Sequence, residues 1–166
     1  LVNPGDNVLI PEPYFPLYPP DVEICGGSPN LYPCRFENGF VPTIEDLEER
    51  VNSSTVAILY NFPSNPTGGN VNPEQRDELV EFAKRNDLWI ISDEVYDRIV
   101  YDVPHVSFIG AGYDKVIMVQ SFSKTFAMTG WRIGYLLSPD QQAMEQLTKM
   151  QYLSLIHISE PTRPNF

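Results

Sequence analysis

Short, nearly continuous apolar runs alternate with amphipathic stretches along this chain. That pattern predicts an α/β fold with a mostly parallel sheet flanked by helices. "STVAILYNF" at 54–62 and "LWIISDE" at 88–94 are apolar almost throughout and end in polar residues, as strands covered on both faces do. Between them, "PEQRDELVEFAKRN" predicts a helix. Asn72 is placed to cap it, Pro73 suits its first position, and Leu79, Val80, Phe82 and Ala83 fall on one stripe. The three segments make one βαβ unit. A third run, "KVIMVQSF" at 115–122, predicts a further strand, and "WRIGYLL" at 131–137 follows as another. Ser138-Pro139-Asp140-Gln141 then predicts a helix start, with a serine cap, a proline at the first position and a capping-box glutamine. Near the beginning, Asn3-Pro4-Gly5-Asp6 reads as a turn feeding a strand over 8–10.

Composition narrows the classes of function. At 166 residues, 42% hydrophobic and 12% aromatic, the chain can bury one core of ordinary size and is not a disordered segment. Its formal charge of -11 opposes non-specific binding to nucleic acid or to an anionic membrane, since both need a cationic face. No apolar run approaches the length of a membrane span, and "LVNPGDNVLI" lacks the basic start of a signal peptide. That opening also lacks an initiator methionine and is expected to be the interior of a longer sequence. His105 and His157 are too few and too scattered for a metal site. Cys25 and Cys34 fall in a strand-like stretch without CxxC spacing, so reduced thiols and a cytoplasmic location are expected.

In open parallel sheets, ligands collect beyond the carboxyl ends of the strands. The first predicted strand exits into "FPSNPTGG" and presents Asn65; the second exits into "SDEVYD" and presents Asp93 and Tyr96; the third presents Ser121, Ser123 and Lys124. Each has a plain alternative on its own: Asn-Pro-Thr-Gly is a good turn, Asp93 can cap a short helix, and Lys124 can simply be solvated. Jointly they supply an amine near a carboxylate, a phenol and an anion cradle. Pyridoxal 5'-phosphate requires that set: a Schiff-base lysine, an acid partner for the pyridinium nitrogen, and phosphate donors. On that chemistry Lys124 forms the imine, while Ser121, Ser123 and Arg132 hold the phosphate, Arg132 through charge-assisted hydrogen bonds.

The segments "NPGDNVLIPEPYFPLY", "YNFPSNPTGG", "ISDEVYDRIVYD" and "SFSKTFAMTGWRIGYL", in this order and spacing, resemble the class I/II aminotransferases of the aspartate-aminotransferase fold type, which depend on pyridoxal 5'-phosphate. The resemblance implies a partial large, cofactor-binding domain over residues 1–152. It implies that Lys124 carries the cofactor, that Asp93 pairs with the pyridinium nitrogen, and that Asn65 and Tyr96 hydrogen-bond the cofactor's phenolic oxygen. Phe15 would stack on the ring, with Tyr14 as the second candidate and a place in the core as the alternative for either. The Asn65-Pro66 bond resembles one that the family often holds cis.

The activity so implied is transfer of an amino group between an amino acid and a 2-oxo acid, with Lys124 moving the proton, in a homodimer when full length. Two other readings keep the same motifs: a carbon-sulfur lyase of the same fold, and the cofactor-sensing, aminotransferase-like domain of a transcription regulator. The family's upstream phosphate-binding loop and its small-domain arginine for the substrate carboxylate have no match in this chain. The chain by itself is therefore expected not to transaminate. Residues 153–166, "LSLIHISEPTRPNF", are expected to be a non-native tail, similar to a translated sequencing-adapter end.

Overall fold

A computed structural model describes residues 1–101 and 104–155. Its sheet is built from β1 (Asn7–Glu12), β2 (Ser28–Pro33), β3 (Thr55–Asn61), β4 (Trp89–Asp93), β5 (Val116–Ser121) and β6 (Gly134–Leu137). The strand order is β2-β1-β3-β4-β5-β6. The first five strands are mutually parallel, and β6 closes one edge antiparallel to β5. The helices are α1 (Tyr18–Ile24), α2 (Ile44–Glu48), α3 (Pro73–Arg85), α4 (Phe122–Thr125) and α5 (Gln141–Leu155). The α/β architecture expected from the apolar runs is the one observed.

Side-chain alternation along the strands divides the core in two. Leu9, Ile58, Tyr60 and Ile90 join one cluster with the α3 residues Leu79, Val80, Phe82 and Ala83, all buried. Val8, Ile10, Ala57 and Leu59 face the other way and meet Tyr18 and Val22 of α1. Helix α3 begins where its sequence says it should. The Asn72 side chain accepts from the Gln75 N–H at 2.8 Å, and the Gln75 side chain accepts from the Asn72 N–H at 3.0 Å, which satisfies two donors that the first turn leaves unpaired. The Asn3–Asp6 turn also forms, with the Asp6 N–H donating to the Asn3 carbonyl at 3.0 Å and Gly5 at φ +98. The Asn65-Pro66 bond is cis, as are Glu12-Pro13 and Phe62-Pro63.

Several local expectations are corrected. The strand placed at 131–137 is confined to Gly134–Leu137, because Thr129–Trp131 form a 3₁₀ turn and Arg132 takes a left-handed φ of +53 that ends any extended run. Helix α5 is capped by Asp140 rather than Ser138. The Asp140 carboxylate accepts from the Ala143 N–H at 2.8 Å, so Pro139 precedes the cap and Gln141 opens the helix instead of completing a capping box. Cys25 ends helix α1 instead of lying in a strand, since two prolines at the head of "YPPDVEI" start a helix there. Helix α5 runs to Leu155, and His157 with the rest of the tail lies outside the described residues. Among the described residues no helix is long and apolar enough to cross a membrane, and no cluster of His, Cys, Asp and Glu could hold a metal ion.

Candidate active site

The carboxyl ends of β3, β4 and β5 open on one rim, where a cavity of about 410 Å³ lies. Phe15, Asn65, Asp93, Tyr96, Ser121, Ser123, Lys124 and Arg132, the eight residues singled out from the sequence, all line it. They come from parts of the chain more than a hundred residues apart, and the parallel strand order is what gathers them. Tyr18, Val95, Val119, Gln120 and Thr129 complete the wall.

Asp93 is the last residue of β4, and most of its surface is covered. Its Oδ2 accepts from the Tyr18 hydroxyl at 2.7 Å and its Oδ1 from the Val95 N–H at 3.2 Å. Burial raises its pKa above the ordinary aspartate value; the Tyr18 and Val95 hydrogen bonds pull it back only in part, and the neighbouring Glu94 charge adds to the rise. Tyr18, buried beside that carboxylate, is pushed far up as a phenol, by burial first and then by Asp93, so its proton stays on oxygen. The sequence reading missed Tyr18. A signal was there: a carboxylate under an apolar sheet needs a donor, and Tyr18 stands three residues after Phe15 on the facing segment.

Asn61 ties two of the strand exits together. Its Nδ2 donates to the Asp93 carbonyl at 3.0 Å while its Oδ1 accepts from the Asn65 N–H at 2.7 Å. Phe15 sits edge-on to Tyr18, with ring centroids 5.6 Å apart at 68°. Tyr14 is half-buried and packs against the Val8 and Ile10 cluster but does not line the cavity.

On the third exit Ser121 caps α4, its hydroxyl accepting from the Ser123 N–H at 3.1 Å. Lys124 is exposed, with its Nζ 5.7 Å from the centre of the Tyr96 ring, within the range of a cation–π contact. The left-handed turn at Arg132 brings it to the same cavity. Its Nη1 donates to the Thr129 carbonyl at 3.3 Å, which leaves most of its guanidinium fork for an anion.

The site therefore gathers a primary amine, a buried carboxylate, a phenol, an aromatic plate and a cation beside two hydroxyls. Comparison with known proteins decides the family. The family model described as "Aminotransferase class I and II" matches residues 1–164. The chain belongs to that family. An aspartate aminotransferase of Pyrococcus horikoshii is 37% identical over 151 residues, covering 90% of this chain and 38% of the relative. An aromatic-amino-acid aminotransferase 2 of Thermococcus litoralis is 40% identical over 150 residues, covering 89% of this chain and 38% of the relative. The crystal structure of an aromatic aminotransferase from Pyrococcus horikoshii OT3 superposes with a TM-score of 0.86 at 37% identity, over 91% of this chain and 41% of that one. The chain thus spans about two-fifths of the length of these family members.

Proposed function

We propose that this chain carries the pyridoxal 5'-phosphate site of an aminotransferase that moves an amino group between an amino acid and a 2-oxo acid. The observation that carries the reading is the single cavity holding Lys124, Asp93, Tyr96, Asn65, Phe15 and the Ser121, Ser123 and Arg132 set. The family match and the relatives' names favour this over the carbon-sulfur lyase and cofactor-sensing readings. The residues present fit the cofactor. A volume of about 410 Å³ is in the range of small-molecule pockets, roughly 300 to 1,000 Å³. The chemistry of the donors matches as well: Asp93 is a largely buried carboxylate with no cationic partner among the described residues, and Arg132 with two hydroxyls forms an anion cradle at the same cavity.

The cofactor, when bound, supplies an electron sink for the carbon that loses its proton. The protein's part follows from its own residues. Asp93, braced by Tyr18, would hold a protonated ring nitrogen, the cationic partner that its burial makes costly to lack. Asn65 and Tyr96 would hydrogen-bond the phenolic oxygen, and Phe15 would cover one ring face. Ser121, Ser123 and Arg132 would hold the phosphate. Lys124 Nζ would be the group that attaches the cofactor, and its amine would serve as base and then acid for the proton. A homodimer of the full-length protein belongs to the same reading. Two free cysteines, Cys25 exposed and Cys34 buried, support a reducing, cytoplasmic location.

Incubation with pyridoxal 5'-phosphate followed by borohydride tests the reading. A fixed adduct that peptide mapping places on Lys124, and that disappears in Lys124→Ala, is the expected result. An adduct spread over other lysines would overturn it.

A further inference from the structure

Between the two strand exits that carry Asp93 and Lys124, the sheet itself stops short. The last paired residues of β4 and β5 are Asp93 and Val119, and the final ladder bond runs from the Glu94 N–H to the Val119 carbonyl at 3.0 Å. Beyond it the two backbones part, one into the turn bearing Tyr96 and the other into α4 bearing Ser123 and Lys124. One side chain spans the gap. Gln120 is buried, its Nε2 donates to the Glu94 carbonyl at 2.8 Å, and its Oε1 accepts from the Ser121 N–H at 2.8 Å. A carboxamide offers a donor and an acceptor on one flat group without a change of protonation state.

Both ends of this link are held. Glu94 is 2% exposed, and its carboxylate accepts from the Ser92 hydroxyl at 2.8 Å, the Ser107 hydroxyl at 3.0 Å and the Phe108 N–H at 3.0 Å, with His105 Nε2 at 2.7 Å. The Glu94 carbonyl is therefore an anchored acceptor. On the other side, β6 presses against the Gln120 backbone at Gly134, where an added Cβ would lie 2.6 Å from the Gln120 carbonyl oxygen. Gln120 cannot shift without moving a strand on either side.

We propose that Gln120 is a positioning residue: its carboxamide fixes the Ser121–Lys124 exit relative to the Asp93–Tyr96 exit, and so sets where the lysine amine stands over the cofactor site. This rests on the reading of the cavity given above. Gln120 touches neither the amine nor the carboxylate; it acts through Glu94 and Ser121.

Gln120→Met keeps the length and burial of the side chain and removes both hydrogen bonds, so the full chain carrying it is the test, with Gln120→Leu as a second variant. The first measurement, amide hydrogen exchange without cofactor, should show roughly five-fold faster exchange at Ser121, the scale of one lost hydrogen bond, with the β3–β4 ladder unchanged. The second, the borohydride-fixed adduct on Lys124 with pyridoxal 5'-phosphate, should fall several-fold while the thermal midpoint moves little. Unchanged exchange at Ser121 would overturn the proposal. So would uniform acceleration across the sheet, loss of cooperative unfolding in both variants, or faster exchange with an undiminished adduct. If the unsubstituted chain gives no adduct on Lys124, the cofactor reading fails, and the exchange measurement alone decides whether Gln120 braces the two exits.

Discussion

Replacing Tyr18 with Phe removes one oxygen and one hydrogen bond from the floor of the cavity and nothing else. The ring is buried, packs with Val22 of α1 and the inward side chains of β1 and β3, and meets Phe15 edge-on, contacts that a phenylalanine ring retains. What is lost is the 2.7 Å bond to Asp93 Oδ2, after which Asp93 keeps only the Val95 N–H at 3.2 Å. A hydrogen bond to an ionised group is worth about 1.5 to 3 kcal/mol, against about 1 kcal/mol between neutral groups. With no cavity to add, Tyr18→Phe should cost about 1.5 to 3 kcal/mol where Asp93 is ionised, or roughly 3 to 12 °C in thermal midpoint for a chain of this size. The pH dependence carries the sharper test. Asp93 already has a raised pKa from burial, and losing Tyr18 raises it further, so the deficit is largest near neutral pH. It should shrink in mild acid, as the carboxyl takes up a proton in both proteins. Thermal unfolding of the two proteins, followed by circular dichroism across that range, reads the difference directly. A deficit that stays constant with pH, or none at all, would show that the hydroxyl does not act by stabilising the Asp93 charge.

Asp93→Asn should stabilise the chain without cofactor near neutral pH, because a folded-state pKa above the ordinary value of 3.8 means that ionisation costs stability as pH rises; a lower urea midpoint would contradict this. Glu94 behaves oppositely: burial raises its pKa, but the hydrogen bonds from His105, Phe108, Ser107 and Ser92 outweigh that and hold it below the ordinary 4.5. Its contribution is therefore complete above that value and lost as pH falls through the folded one, and Glu94→Gln should flatten that part of the acid limb of a urea-midpoint profile. Leu79→Ala, on the buried stripe of α3 at 2% exposure, should cost about 2 to 5 kcal/mol by urea unfolding; a loss under about 1 kcal/mol would mean that the helix is not docked through that face.

Much of the site was legible from the chain alone because its residues sit where strands end, and strand ends are marked locally. The near-continuous apolar runs at β3, β4 and β5 announced strands covered on both faces, and the polar residues after them, Asn65, Asp93, Tyr96, Ser121, Ser123 and Lys124, had to lie at one end of a parallel sheet. The stripe of Leu79, Val80, Phe82 and Ala83, with Asn72 ahead of it, fixed α3 in the same way. Where short-range signals conflicted, the reading slipped: "YPPDVEI" hid α1 behind two prolines, so the strand-like stretch from Cys25 to Cys34 shrank to β2, whose own prolines its edge position tolerates.

What only the tertiary structure decided are the contacts that depend on strand order. Periodicity reports which face of an element is buried, but it is silent about which neighbour covers that face. The Tyr18 hydroxyl finds Asp93 across 75 residues only because α1 packs over the side of the sheet on which β4 ends. Gln120 reaches Glu94 only because β5 lies beside β4, and β6 turns back antiparallel to close over it. Local sequence could specify the chemical groups that such a site needs. Their distances from one another follow from how the whole chain buries its two apolar faces, a balance of packing to which every strand contributes and which no single segment encodes.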